Sequence, residues 1–104
     1  MDIKKVFVQD GIQHLFAQES DKLSIQFGFV TINPGERVPE KGVSCHSENE
    51  YSFIIQGTLE GESGGKPYRV TTSDATLIPA EEKHWAINTG DEPCHIIWAL
   101  VKEK

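Results

Sequence analysis

The chain has 104 residues, a formal charge of −6, and ordinary shares of apolar (38%) and charged (25%) residues. That length supports one hydrophobic core and that composition excludes a fibre or a disordered tail, so residues 1–104 are expected to form a single domain. An acidic chain lacks the basic surface that phosphate binding requires, which argues against nucleic acid as a partner and chiefly implies solubility. No apolar run reaches the length of a membrane span, so no membrane partner is expected. The start MDIKKVFVQDG lacks a signal-peptide core and cleavage site, which makes a cytoplasmic location the default. Cys45 and Cys94 lie far apart without CxxC spacing and read as free thiols.

Turn signals recur at short intervals, with runs of β-branched and aromatic residues between them, a pattern of sandwiches and barrels. Lys5–Val8 and His14–Ala17 read as short strands either side of Asp10-Gly11. In Leu23–Ile32, Leu23, Ile25, Phe27 and Phe29 alternate with Ser24, Gln26 and Gly28, a period of two that ends at Asn33-Pro34-Gly35. A looser segment to Gly42 leads into a strand over Val43–His46. Glu50–Gln56 follows, then Gly57 as a turn or bulge, Thr58–Glu60, and a hairpin tip over Gly61–Lys66. Pro67–Thr71, Ala75–Ile78, His84–Asn88 and Cys94–Val101 complete the strands. No repeat, linker or long helix interrupts them, so a closed or double-sheet β architecture is expected.

Spacing singles out one stretch for chemistry. Strand alternation points Ser44 and His46 to one face and Cys45 to the other. Ser47, Glu48 and Asn49 are turn formers, so a hairpin is expected to set Glu50 opposite His46, within about 5.5 Å at Cβ. Beyond Glu50, the same alternation turns Ser52 and Ile54 inward and Tyr51, Phe53 and Ile55 outward. A second cluster, PAEEKHWAIN, brings His84.

These residues resemble the cupin family. His46, Glu50 after three residues and Gly57 after six more match the end of its first motif. Pro79, His84 and Asn88 match the second, with Ser73-Asp74 where Gly-Asp is usual. The two motifs and the gap between them cover roughly half the chain. The resemblance implies an all-β double-stranded β-helix, a jelly-roll barrel of cupin type. It implies a metal held by His46, Glu50 and His84, with open positions for substrate or water. Two histidines and a carboxylate suit divalent iron, and also manganese, zinc, nickel or cobalt. The chain departs from the pattern at Ser44, which stands where the family has its first histidine. Glu81 and Ser73 replace glycines of the second motif, and neither Gly35 nor Gly42 falls in register with the leading glycine of the first.

Several residues keep two readings. His95 begins the last strand and replaces the missing ligand only if it faces inward, which alternation there does not decide. His14 reads as a surface or strand-edge residue. Trp85 alternates away from His84 and reads as packed between sheets or at a subunit contact, as do Trp98 and Tyr51. Lys66 and Arg69 read as a solvated face, and Glu48 and Glu81 as surface carboxylates beside the site. No catalytic acid or base is assigned. The functional expectation is an enzyme of isomerase, lyase or dioxygenase type acting on a small oxygenated molecule. The competing expectation is a non-catalytic binding or sensor module, with or without metal. The resemblance also implies a homodimer.

Overall fold

In the computed structural model, which describes residues 1–104, the alternation along the longest strands builds two antiparallel sheets. The strands are β1 (Gly11–Glu19), β2 (Leu23–Ile32), β3 (Arg37–Val38), β4 (Asn49–Gln56), β5 (Thr58–Ser63), β6 (Lys66–Thr71), β7 (Ala75–Ile78), β8 (His84–Ile87) and β9 (Cys94–Glu103). One sheet runs β1-β2-β9-β4-β7 and the other β3-β8-β5-β6. This is the jelly-roll arrangement of a cupin fold, entirely of strands.

The two sheets meet through a core of Ile32, Ile54, Leu59, Ala86, Cys94 and Ile96, drawn from both. On the five-stranded sheet the inward residues form rows across neighbouring strands, as pleating requires. One row runs Ile54, Ile96, Val30 and Ile12. The next runs Thr76, Ser52, Trp98, Gly28 and His14. Trp98 lies across Gly28, where a Cβ would stand 2.4 Å from the indole ring, so only glycine admits it. The His14 ring meets the indole edge-on at 5.3 Å. The outward face of the same sheet is also apolar. It carries Phe27, Phe29 and Ile97 beside Tyr51 and Phe53 on β4, the last two about 45% exposed. A bulge between His14 and Phe16 lets Phe16 stack on Phe27.

Five local expectations change. Lys5–Val8 forms no strand: residues 1–10 run beside β1, held by Phe7 backbone contacts to the Gln13 side chain and by Lys4 over the Phe16 ring. Val43–His46 is not a strand either, and it makes only an isolated bridge between Ser44 and His84. Glu50 therefore does not pair with His46 across a hairpin; its strand partners are Ile78 and Leu100. The looser segment contains the two-residue β3, and the hairpin tip shrinks to Gly64-Gly65 because β5 continues to Ser63. Ser73 and Glu81, which replace motif glycines, keep a glycine-like backbone at φ of 74° and 68°. A side chain there costs about 1 kcal/mol.

Two buried residues of this frame yield tests. Asn88 is fully enclosed: its amide donates to the carbonyls of Ile32 and Glu92, and its oxygen accepts from the Gly90 N–H. Asn88→Ala strands those three backbone groups and is expected to destabilise the fold by about 3 kcal/mol in urea titration. Cys94 is equally enclosed, and burial pushes its thiol up to about 11, whereas Cys45 is exposed. At pH 8, a disulfide reagent is expected to titrate one thiol in the native chain and two after unfolding. Two fast-reacting thiols in the folded protein contradict that packing.

Candidate metal centre

Three elements from different parts of the sandwich meet at one end of it. Glu50 comes from β4 in the five-stranded sheet and His84 from β8 in the four-stranded one. His46 lies on the connection between β3 and β4, which crosses from one sheet to the other. Reciprocal backbone hydrogen bonds fix that connection: Ser44 N–H to the His84 carbonyl at 2.8 Å, and His84 N–H to the Ser44 carbonyl at 3.0 Å. The Glu81 N–H adds a bond to the His46 carbonyl at 2.7 Å. The Asn49 side chain then accepts the Ala80 N–H at 2.8 Å, tying the start of β4 to the same turn. The left-handed Glu81 is what turns this loop back toward His46.

The result brings His46, Glu50 and His84 together, with one ligand atom from each lying within 4.8 Å of the others. The His46 Nε2 stands 3.4 Å from Glu50 Oε1, and the two imidazoles meet edge-on with centroids 5.1 Å apart. Bonds of about 2.1 Å to one cation allow at most about 4.2 Å between any two ligand atoms, so the widest pair has little distance to close.

Hydrogen bonding selects the ring tautomers. His46 Nδ1 lies 3.0 Å from the Glu48 carbonyl, and His84 Nδ1 lies 2.9 Å from the Glu82 carbonyl. A carbonyl only accepts, so each Nδ1 carries a proton and donates it. In a neutral ring this leaves the Nε2 lone pair free, and backbone carbonyls commonly orient metal-binding histidines in this way. The donor set and its supporting bonds therefore fit a divalent transition metal.

Beside Glu50 and His84 opens a cavity of about 520 Å3, more apolar than polar. Ser44, in the place of the family's first histidine, lines it beside His84. Ser52 and Ile54 face it as the alternation predicts, while Tyr51, Phe53 and Ile55 face away and are exposed. Ile96, Trp98 and Leu100 line it too, which puts His95 on the opposite face of β9. There His95 stacks on Phe29 and bonds through Nδ1 to the Thr31 hydroxyl at 3.1 Å, so it does not replace the missing ligand.

Trp85 packs on the outer side of its sheet beneath the Arg37 guanidinium, 4.6 Å from the ring centroid, whereas Trp98 lies between the sheets. His14, exposed on the edge strand β1, also borders the cavity. Arg69 is the solvated residue expected, paired with Glu60 at 3.6 Å. Its neighbour Tyr68 is not: it lines the cavity and donates to the Trp85 carbonyl at 3.3 Å. Burial raises the Tyr68 phenol above its usual range, and the Glu50 carboxylate adds to the effect. The alternation of Tyr68 and Val70 with Arg69 carries that signal. Glu82, another wall residue, accepts the Ser63 hydroxyl at 2.7 Å.

The family model for the cupin domain matches residues 28–100. The chain is similar to polyketide synthase CurC of Streptomyces cyaneus, with 29% identity over 73 residues, 70% of this chain and 46% of that protein. It spans about half the length of the curated relatives it matches. A cupin 2 conserved barrel domain protein from Salinispora arenicola superposes with a TM-score of 0.73 and 19% identity, covering 96% of this chain and 87% of that one. Salicylate 1,2-dioxygenase from Pseudaminobacter salicylatoxidans superposes with a TM-score of 0.65 and 26% identity, over 73% of this chain and 21% of that one. With the family model covering most of both sheets, the chain belongs to the cupin family.

Proposed function

We propose that residues 1–104 form one cupin domain in which His46, Glu50 and His84 hold a divalent transition metal, and that the domain acts on a small oxygenated molecule. The observation that carries this reading is the pair of Nδ1 bonds to backbone carbonyls, which leaves both Nε2 lone pairs free, in a group that converges with the Glu50 carboxylate. A bound metal of this kind supplies Lewis acidity toward an oxygen of the substrate, the chemistry shared by isomerases, lyases and dioxygenases. The chain's own residues do the rest. Ser44 leaves room at the metal where a fourth protein ligand would crowd a substrate. The apolar walls exclude water and strengthen electrostatic interactions inside. Tyr68 commits its phenolic proton to the Trp85 carbonyl and presents its ring and oxygen lone pairs to the cavity. The enzyme names of CurC and salicylate 1,2-dioxygenase support a catalytic role over a structural one.

A second reading, a binding or sensor module without chemistry, draws on the cavity itself. Its lining is mostly hydrophobic, and no further histidine joins the triad. The two free thiols suit a reducing compartment such as the cytoplasm. A second copy of the chain is the proposed partner of the outward sheet face around Tyr51, Phe53, Ile55 and Leu77, all large and exposed.

Metal analysis of the untagged protein is expected to find about one divalent ion per chain, and His46→Ala or His84→Ala to lower its affinity at least tenfold. Metal-free protein whose ligand binding is indifferent to both substitutions refutes the metal reading. With metal present, oxygen uptake separates an oxygenase from an isomerase or lyase, and turnover of no compound in these classes favours the binding module. In sedimentation velocity at micromolar concentration the chain is expected to run as a dimer and Phe53→Glu as a monomer. A monomeric parent chain overturns the pairing.

A further inference from the structure

The cavity is polar at one end, carries the Ser52 and Thr76 hydroxyls at its middle and is apolar beyond them. Glu50, Ser52 and Ile54 succeed one another on the inner face of β4, so the triad lies roughly 13 Å from the Ile54 row at about 3.3 Å per residue. Between those ends stands the row of Thr76, Ser52 and Trp98. Its two small members leave space beside an indole that Gly28 allows to lie over toward β1. Ala86, on the facing sheet, is small as well. Past that row the lining is Ile32, Ile54, Leu59 and Ile96, without a charged group.

Such a space discriminates among oxygenated molecules. A sugar carries hydroxyls on every side, and those directed at Ile54 and Ile96 would lose water without gaining a partner, at about 1–3 kcal/mol each. A two-carbon diacid would fill a small part of 520 Å3 and leave the apolar walls wet. A single ring bound at the triad reaches the Ser52 row and stops there. A second fused ring continues into the apolar half at no cost in rotational freedom, which a flexible chain of equal length loses on binding.

We propose that the ligand is a rigid molecule of at least two fused rings with oxygens on one edge, the oxygens at His46, Glu50 and His84 and the far ring between Ser52, Trp98 and Ile54. This assignment rests on the proposed metal site for its orientation and on the cavity for its size and polarity.

The test uses the full chain loaded with zinc, and binding read by calorimetry and Trp98 region fluorescence. The probes are 2,3-dihydroxynaphthalene, catechol, octanoate, oxalate and glucose. The naphthalenediol is expected to bind at least tenfold more tightly than catechol or octanoate, with oxalate and glucose weaker still. Ser52→Leu, which fills the central row, is expected to weaken the naphthalenediol at least tenfold and catechol less than threefold, with zinc content unchanged. Catechol or octanoate binding as tightly as the naphthalenediol, or glucose or oxalate binding best, overturns the inference. So does a folded Ser52→Leu protein that binds the naphthalenediol normally. Should that variant not fold, the probe series on the unaltered chain decides alone. Failure of the metal reading looks different: zinc does not bind, while the preference for two rings over one persists.

Discussion

The reciprocal backbone hydrogen bonds between Ser44 and His84 are the constraint on which the site depends. They join a connection that belongs to no strand to the end of β8, and the Glu81 N–H on the His46 carbonyl extends the clamp. Each bond contributes only about 1 kcal/mol net. Their effect is geometric: they hold His46 over the gap between two sheets, next to a histidine from one and within reach of a glutamate from the other. Without them, His46 would sit on a loop free to sample positions several ångströms away. The positive φ at Glu81 belongs to the same device, because the turn must double back to present its N–H.

The sandwich combines a sealed core with an open one. At one end Asn88 binds the loops together through its own side chain and Cys94 packs with no exposed surface. At the other, residues that in a solid sandwich would interdigitate stop short, with Ser52 and Thr76 too small to fill the gap. Ile54 and Leu59 serve both ends, as core on one side and cavity wall on the other. Unfilled apolar space destabilises a protein in proportion to its volume. A hollow of this size kept beside the converging His46, Glu50 and His84 is therefore consistent with a ligand site rather than loose packing.

Much of this was legible in the chain. The period of two from Glu50 onward placed Ser52 and Ile54 inside and Tyr51 and Phe53 outside, because pleating leaves no other choice once one face is buried. The spacing of His46, Glu50 and Gly57, with Pro79, His84 and Asn88, pointed to the fold family. Other elements were misread for identifiable reasons. Val43–His46 has strand composition but no neighbour long enough to pair with, so only one bridge forms. Lys5–Val8 is β-prone, yet pairing needs a free edge in register, and it makes only side-chain and backbone contacts beside β1. Tyr68 was hidden by its charged neighbours Lys66 and Arg69, although its alternation with Arg69 carried its direction.

The sequence by itself determined most of the strand pattern through local periodicity, and its motif spacing carried the resemblance that implied the family and the three converging side chains. The tertiary structure decided how they converge. His46 and Glu50 meet across the gap between two sheets, not across a hairpin, and β9 turns His95 to the outer face against Thr31 and Phe29. The ring tautomers are set by carbonyls only two residues away along the chain, whereas the hollow beside Trp98 arises from Gly28, Ser52 and Thr76, brought together by strand pairing. Contacts of that kind join residues distant in the chain, and no local pattern encodes their distance or direction.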